Sequence, residues 1–503
     1  MLKKEYPPRA FWCIIKHITI GVPSKIMNIP VLKNEKESTF YMVTVNGEKA
    51  RVYEHYVSAA PINRRWPGHQ REISQREKSY FVRFENEKAV TVEIKSEKTG
   101  KPIVRPISSR VSVDITENGY RFTLTEHGAY SFELGDAHQN LHLFFDKPKT
   151  YEFSPREKVI AFRRGTFDVG EIVLRSDETL FVDEDAVVYC NIVAENAENV
   201  RICGRGILDN SKSKEKILFD VETGDGQKDV MNAERKHFVS IRNCRNVTID
   251  GPILRDSLCY NVSAVNVDGF VCENIKIIGC WRYNSDGVDM QNCRNTRVSD
   301  CFIRTYDDCV CVKGDGNVRT NCEHTLIENS VFWCDWGHAM EIGLETCADK
   351  ITDIRYRRCK VIRTNFDFLH IGCADYAKIS DVTYEDIDLE FAGDERAPQH
   401  QEKDGETYLP DDKPYFPTLI GLGIFRHFKY SVGNEYGHIE NVVYRNIRVH
   451  NAPDLPVIEI SGANEEHKIK NLTFENVTLD GRKATSLSDF KTGIKYGENI
   501  LIK

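Results

Sequence analysis

NVTIDG (246–251), NIKIIG (274–279), NTRVSD (295–300) and HTLIEN (324–329) are four versions of one phrase. Each sets a short run rich in β-branched residues behind an Asn or His and closes on Asp, Gly or Asn. The phrase continues as ITDIRY (351–356), ISDVTY (379–384), IENVVY (439–444) and IKNLTF (469–474). Copies recur about every 21 to 30 residues with no helical periodicity between them. A short repeat that cannot bury its own apolar face must stack on its neighbours, and β-branched runs with Asn, Asp and Gly at the corners make such a stack from strands. A propeller blade would need about 40 residues per repeat. The expected fold is therefore all-β: a right-handed parallel β-helix over 155–503, of roughly ten coils.

Residues upstream of about 150 have a different texture. Phe40–Met42 with Val43 and Val45 alternate and then meet Asn46-Gly47, a tight-hairpin signal. Tyr80–Phe84, Val90–Ile94, Val111–Ile115, Tyr120–Leu124 and Tyr130–Leu134 continue the alternation, with Asn118-Gly119 as a second turn. Six or seven such strands predict a β-sandwich module over 1–150, joined to the β-helix by a linker at 146–158.

Composition narrows the function classes. A net charge of -8 and 10% aromatic residues describe a globular chain without the basic surface of a nucleic-acid binder. No apolar run reaches the length of a membrane span, and Ala10–Ile15 is too short for a secretory core. The expectation is a cytosolic protein, or one whose leader has been removed, with no nucleic-acid and no membrane partner. Of its 16 cysteines, fifteen fall between Cys190 and Cys373 without zinc-finger spacing, so free buried thiols are expected. Cys259, Cys280, Cys301 and Cys322 are spaced by 21 residues, as are Cys272 and Cys293. Residues one coil apart stack at about 4.8 Å, so this spacing predicts a column of thiols.

The same step carries Asp286 to Asp307, with Asp308 immediately after it. Adjacent residues of a straight strand point to opposite faces, so all three acids can meet only at a bend. Carboxylates forced together raise one another's proton affinity, leaving one as a general acid while another stays a base. Turn chemistry alone accounts for single acids here, but poorly for a stacked trio flanked by aromatics.

NSDGVDM (284–290), TYDDCVCVKGDG (305–316) and WGHAMEIG (336–343), in that order, resemble the polygalacturonase family of glycoside hydrolases. That family is similar to the dextranase and isopullulanase family, whose members place a β-sandwich before a β-helix. The resemblance spans roughly 155–480 as a repeat pattern, and its specific motifs lie within 284–343. It implies Asp307 as the acid protonating the leaving oxygen, Asp286 and Asp308 as the pair activating water, and His338 as the residue tuning the acid. It also implies single displacement with inversion, although coil spacing sets the acids closer than the ~6.5–9.5 Å usual for inverting enzymes.

One departure bears on substrate. The family grips a uronate carboxylate with an Arg-Ile-Lys triplet one coil beyond the histidine. Here the corresponding stretch is DFLHIGC (367–373), with His370 and Gly372 in place of the cations, and Glu341 adds an acid. A charged substrate without its partners is disfavoured, so the expected substrate is a neutral, dextran-like α-glycan, with galacturonan as the alternative. Sugar rings stack on aromatic faces; Tyr306 and Trp336 are the favoured walls, with Trp281, His370, Lys313 and Glu341 as further contacts and Tyr283 and Trp333 nearby. No metal constellation and no cofactor motif stand out, and KGDG at Lys313 lacks the context of a phosphate loop. NRRWPGHQR (63–71) reads as a loop reaching the cleft or an ordinary exposed one. The charged segment 394–416 reads as a cleft wall or an oligomer contact, so a homo-oligomer stays among the expected assemblies. A polysaccharide lyase and a non-catalytic glycan-binding protein are the competing classes.

Overall fold

The computed structural model describes residues 35, 37–59, 62–64, 76–155, 157–214, 216–217, 233–234, 236–318, 320–401, 413–427 and 430–503. Two five-stranded sheets occupy Tyr41–Asp146 and enclose a core built on Val43, Val92, Phe132 and Leu143. The Asn46-Gly47 hairpin forms as its sequence requires, with φ of 52° and 81° closing the strands Tyr41–Val45 and Glu48–Ala50. The strand expected at Val111–Ile115 is instead Asp114–Thr116.

Three strands carried no clear alternation: Tyr53–Ser58, Pro102–Arg105 and Asp136–Asp146. The last shows why. Leu141, Leu143 and Phe145 face the sandwich core, while Phe144 packs on Ile278, Phe302 and Trp333 of the next module. A strand buried on both faces has no polar face to alternate with.

From Lys158 a single 31-stranded parallel sheet winds into a right-handed β-helix. About twelve strands lie in register along one of its walls, from Lys158–Phe162 to Gly497–Ile502. The repeated phrase marks the two corners of that wall. Asn246, Asn295 and His324 share one corner with φ of 54°, 54° and 57°, and Asn274, in line with Gly251 and Asp300, stands at the other with φ of 52°, a left-handed conformation that Asn tolerates because its amide bonds locally. The Asn side chains also bond from coil to coil, as Asn471 to Asn441 at 3.0 Å and Asn499 to Asn471 at 2.8 Å. Inside, Tyr356, Tyr384, Tyr444 and Phe474 stack at 4.7, 5.1 and 5.0 Å.

The 21-residue step is not the coil. Ile249 lies beside Cys272, Cys272 beside Val298, and Val298 beside Ile327, so successive coils span 23, 26 and 29 residues. Strands keep register while the turns between them vary in length, so equal spacing in sequence does not mean stacking. The expected column of thiols is replaced by thiols on several walls and corners. All fifteen cysteines between Cys190 and Cys373 are nevertheless buried and free. A thiol reagent is expected to titrate about fifteen groups after denaturation without reductant and almost none before it; a denatured count near zero would mean disulfides.

The linker is anchored rather than loose: Tyr151 is buried and its hydroxyl reaches the Asp250 carbonyl at 3.2 Å. Buried polar groups tie the modules further. Arg363 bonds Glu133 at 2.8 Å, and Arg304 bonds Asn140 at 2.7 Å. Asp394, at the start of the charged segment, bonds Arg363 and accepts from the Ala137 amide at 3.3 Å. Gln399–Gln401 pairs with Ile62–Arg64, so the segment runs along the sandwich; residues 402–412, and the NRRWPGHQR stretch beyond Arg64, lie outside the described residues.

Candidate active site

The strands Val288–Gln291, Val310–Gly314, Met340–Thr346 and Asp367–Cys373 are successive rungs of one wall. Val288 pairs with Val310 and Val310 with Met340, so Asp286, Asp308 and His338, each two residues earlier, share one row. Asp286 thus lines up with Asp308 and not with Asp307, which sits one position back in the bend. The three carboxylates still meet, with oxygens within 4.8 Å of one another.

Each acid has its own surroundings. Among the described residues, the donors to Asp307 are backbone amides, Asn284 at 3.2 Å and Asp308 at 3.1 Å. Burial and the neighbouring Asp308 push its carboxyl up to about 7. Asp308 accepts the His338 amide at 2.7 Å and the His338 imidazole at 3.1 Å. Burial pushes it up, but the His338 bonds and charge outweigh this and hold it well below the usual carboxylate range. Asp286 lies 3.1 Å from the Lys313 ammonium, which also meets Asp289 at 2.8 Å. One ammonium serves two carboxylates, so burial leaves Asp286 raised despite Lys313, and Asp289 is raised to about 6. His338 is raised to about 10: burial opposes its charge, while Glu341, Asp308 and Asp367 favour it.

These groups open into a cleft of about 860 Å³, part of it open solvent, walled by Tyr260, Tyr283, Trp336, Phe366 and Tyr430. The adjacent acids Asp307 and Asp308 are poised in opposite protonation states beside aromatic faces. That arrangement can deliver a proton to one atom of a sugar while accepting one from another.

Residues 164–393, under half of the chain, match the model of glycosyl hydrolases family 28. A probable polygalacturonase of Vitis vinifera is 32% identical over 80 residues, which is 16% of this chain and 16% of that protein. Over residues 164–393 the chain is similar to the glycosyl hydrolases of family 28. Its fold is shared with Dex49A from Penicillium minioluteum at a TM-score of 0.58, 14% identity, over 96% of this chain and 98% of that one. A hyperthermoactive exopolygalacturonase from Thermotoga maritima aligns at a TM-score of 0.50 and 15% identity, over 69% of this chain and 84% of that one.

Within the matched segment the residues singled out from sequence scatter over several positions. Asp286, Asp307, Asp308, Lys313, Trp336 and His338 line the cleft, as does Tyr283. Lys313 is bound by its two carboxylates on the floor. Tyr306 is fully buried and stacks behind Trp336 at 5.7 Å, so it supports the wall without forming it. Trp281 is buried away from the cleft, with its indole donating to Asp256 at 3.1 Å, and Trp333 packs in the contact between modules. Glu341 and His370 lie beneath His338. The sequence reading passed over Tyr260, Asn284, Asp289, Glu345, Phe366, Asp367 and Tyr430. Asp289 could have been found, because it stands three residues after Asp286 in the same motif; Tyr430 follows a strand in a loop without any marker.

Among the described residues, three groups place potential metal ligands within 4.8 Å: His338, Asp367 and His370; Asp286, Asp289 and Cys311; and the acid trio. The rings of His338 and His370 are parallel within 9° and 4.2 Å apart, so an ion in the plane of one lone pair lies out of the plane of the other. Lys313 already neutralises the second group, and the trio is met by Lys313, His338 and backbone amides.

Activity should respond to pH accordingly. An acid that must be protonated makes kcat/KM fall as pH rises through about 7, the value for Asp307. Because Asp308 remains ionised far into acid, the acidic limb should lie below the ordinary carboxylate range. A profile still rising above pH 8 would show that Asp307 is not the acid.

Proposed function

We propose that this protein hydrolyses α-glycosidic bonds of a neutral polysaccharide or oligosaccharide with inversion at the anomeric carbon. The opposed protonation of Asp307 and Asp308 in one cleft carries this reading. Asp307, protonated below about pH 7, donates to the leaving oxygen. Asp308, anionic, takes a proton from water, with Asp286 on the same row to hold that water. Both Asp286 and Asp308 are pinned, by Lys313 at 3.1 Å and by His338 at 2.7 Å. A pinned carboxylate is poorly placed to advance on the anomeric carbon as a nucleophile, which favours attack by water although the oxygens sit closer than ~6.5 Å.

A neutral substrate follows from the charges. Among the described residues lining the cleft, the cations are Lys313 and His338, and both are bonded to cleft carboxylates. Glu345 adds a further acid at the wall. A uronate would enter a negative cleft without a free partner. Trp336 offers its face to the uncharged C–H face of a sugar ring.

A reducing-sugar assay on dextran, pullulan, other α-glucans and polygalacturonate tests the reading, with the first-formed anomer read by proton NMR. Release of the inverted anomer from a neutral α-glycan supports it. Cleavage of polygalacturonate alone would move the substrate to pectin, a retained anomer would exclude single displacement, and an ultraviolet-absorbing product would indicate a lyase.

A further inference from the structure

Glu341 and His370 sit where the substrate would be expected to touch them, yet neither is placed to do so. Glu341 has no solvent exposure. Its Oε2 lies 2.6 Å from His370 Nδ1 and 3.4 Å from His338 Nδ1. The His370 ring lies flat under His338 at 4.2 Å and is lodged between glycines. A Cβ at Gly372 would come within 2.8 Å of its Cε1, and one at Gly421 within 3.0 Å of its Cδ2. The wall therefore has a second row of functional groups one step below the cleft, since Glu341 and His370 are register partners.

We infer that Glu341 is a positioning residue that, with His370 beneath it, holds His338 as a cation against Asp308. The inference rests on the hydrolase reading for its catalytic meaning but on geometry for its substance. The groups facing His338 come from three elements. Asp308 approaches from the bend before Val310–Gly314, Glu341 from His338's own strand, and Asp367 and His370 from the next rung. Three carboxylates thus surround two imidazoles. Glu341 is the one with no solvent exposure, and among the described residues its Oε1 has no hydrogen-bond partner, so its field acts on the two rings with little screening. A cationic His338 keeps Asp308 ionised as the base. The direction of the His338 shift, with Glu341 first among the groups that raise it, agrees with this placement.

Two readouts separate this role from contact with sugar. In protein labelled with 15N-histidine, the His338 signal, assigned by its loss in H338Q, should stay that of the cation beyond pH 9. In Glu341→Gln its midpoint should fall by at least about one pH unit. In His370→Asn it should not fall, because Glu341's charge then acts on His338 alone. Should Glu341→Gln misfold, Glu341→Asp keeps the charge and should keep His338 cationic. On the cleaved glycan, Glu341→Gln should lower kcat while KM stays within about twofold. An unmoved His338 midpoint in Glu341→Gln, or a KM raised about tenfold at unchanged kcat, overturns the proposal. The histidine titration decides it even if no glycan is cleaved, so failure of the hydrolase reading and failure of this inference stay distinct.

Discussion

Asp307→Asn is expected to cut hydrolysis of an unactivated glycan by at least about 10²-fold, the lower end for loss of a general acid. The amide keeps the shape, and its one carbonyl oxygen still accepts one of the two backbone amides, Asn284 at 3.2 Å or Asp308 at 3.1 Å, that go to separate oxygens of Asp307, so the cleft should stay close to intact. What disappears is the proton held up to about pH 7, and with it the alkaline limb near that pH. An aryl glycoside whose leaving group needs no protonation should lose much less, provided the cleft admits it. Asp308→Asn should depress both substrates alike, because water must be activated whatever leaves. If Asp307→Asn cleaved the natural glycan at the parental rate, the acid would have to be sought elsewhere, with the raised Asp286 as the next candidate.

Glu133→Ala should produce the largest loss of stability. Glu133 is buried on the sandwich and takes Arg105 at 3.1 Å and Arg363 of the β-helix at 2.8 Å. Arg105 reaches on to Glu390 at 2.9 Å, and the guanidinium groups of Arg304 and Arg363 stack over Trp333. Removing the carboxylate leaves Arg105 with Glu390 and Arg363 with Asp394, two buried cations each short of one partner. Breaking a buried pair from one side costs about 3–5 kcal/mol, much of it the desolvation of the partner left behind. Urea unfolding followed by tryptophan fluorescence, to which the buried Trp333 contributes, reads the loss; a shift below about 1 kcal/mol for Glu133→Ala would mean that water reaches this contact.

The β-helix was legible from sequence because its code is local. Each corner needs a residue that accepts positive φ, so Asn246 and Asn295 recur at one corner and Asn274 stands at the other; each strand needs β-branched residues on its inner face. The acid trio was legible for a related reason. Asp307 and Asp308 are adjacent, and a bend brings adjacent side chains to one side whatever the rest of the chain does. Burial of the thiols likewise follows from composition and needs no register.

Register was not legible. The step from Asp286 to its true row partner Asp308 is 22 residues, one more than the cysteine spacing suggested, and a slip of one residue changes which acid faces which. Turn length sets that step, and turn length is decided by what packs around the turn. The same limit hid the division of labour inside the site. Lys313, two strand residues beyond Cys311, becomes the counter-ion of Asp286 and Asp289 only because two coils stack in this register. Glu341 becomes a buried anion between two imidazoles only because the next rung lays His370 flat over glycines. Sequence alone determined the repeating fold and pointed to the acids of the candidate site, since both are written in short, local patterns. The tertiary structure decided which of those residues reach the cleft, which stand behind it and which carry the proton, because a carboxylate's proton affinity is set by burial and by charges contributed from other coils.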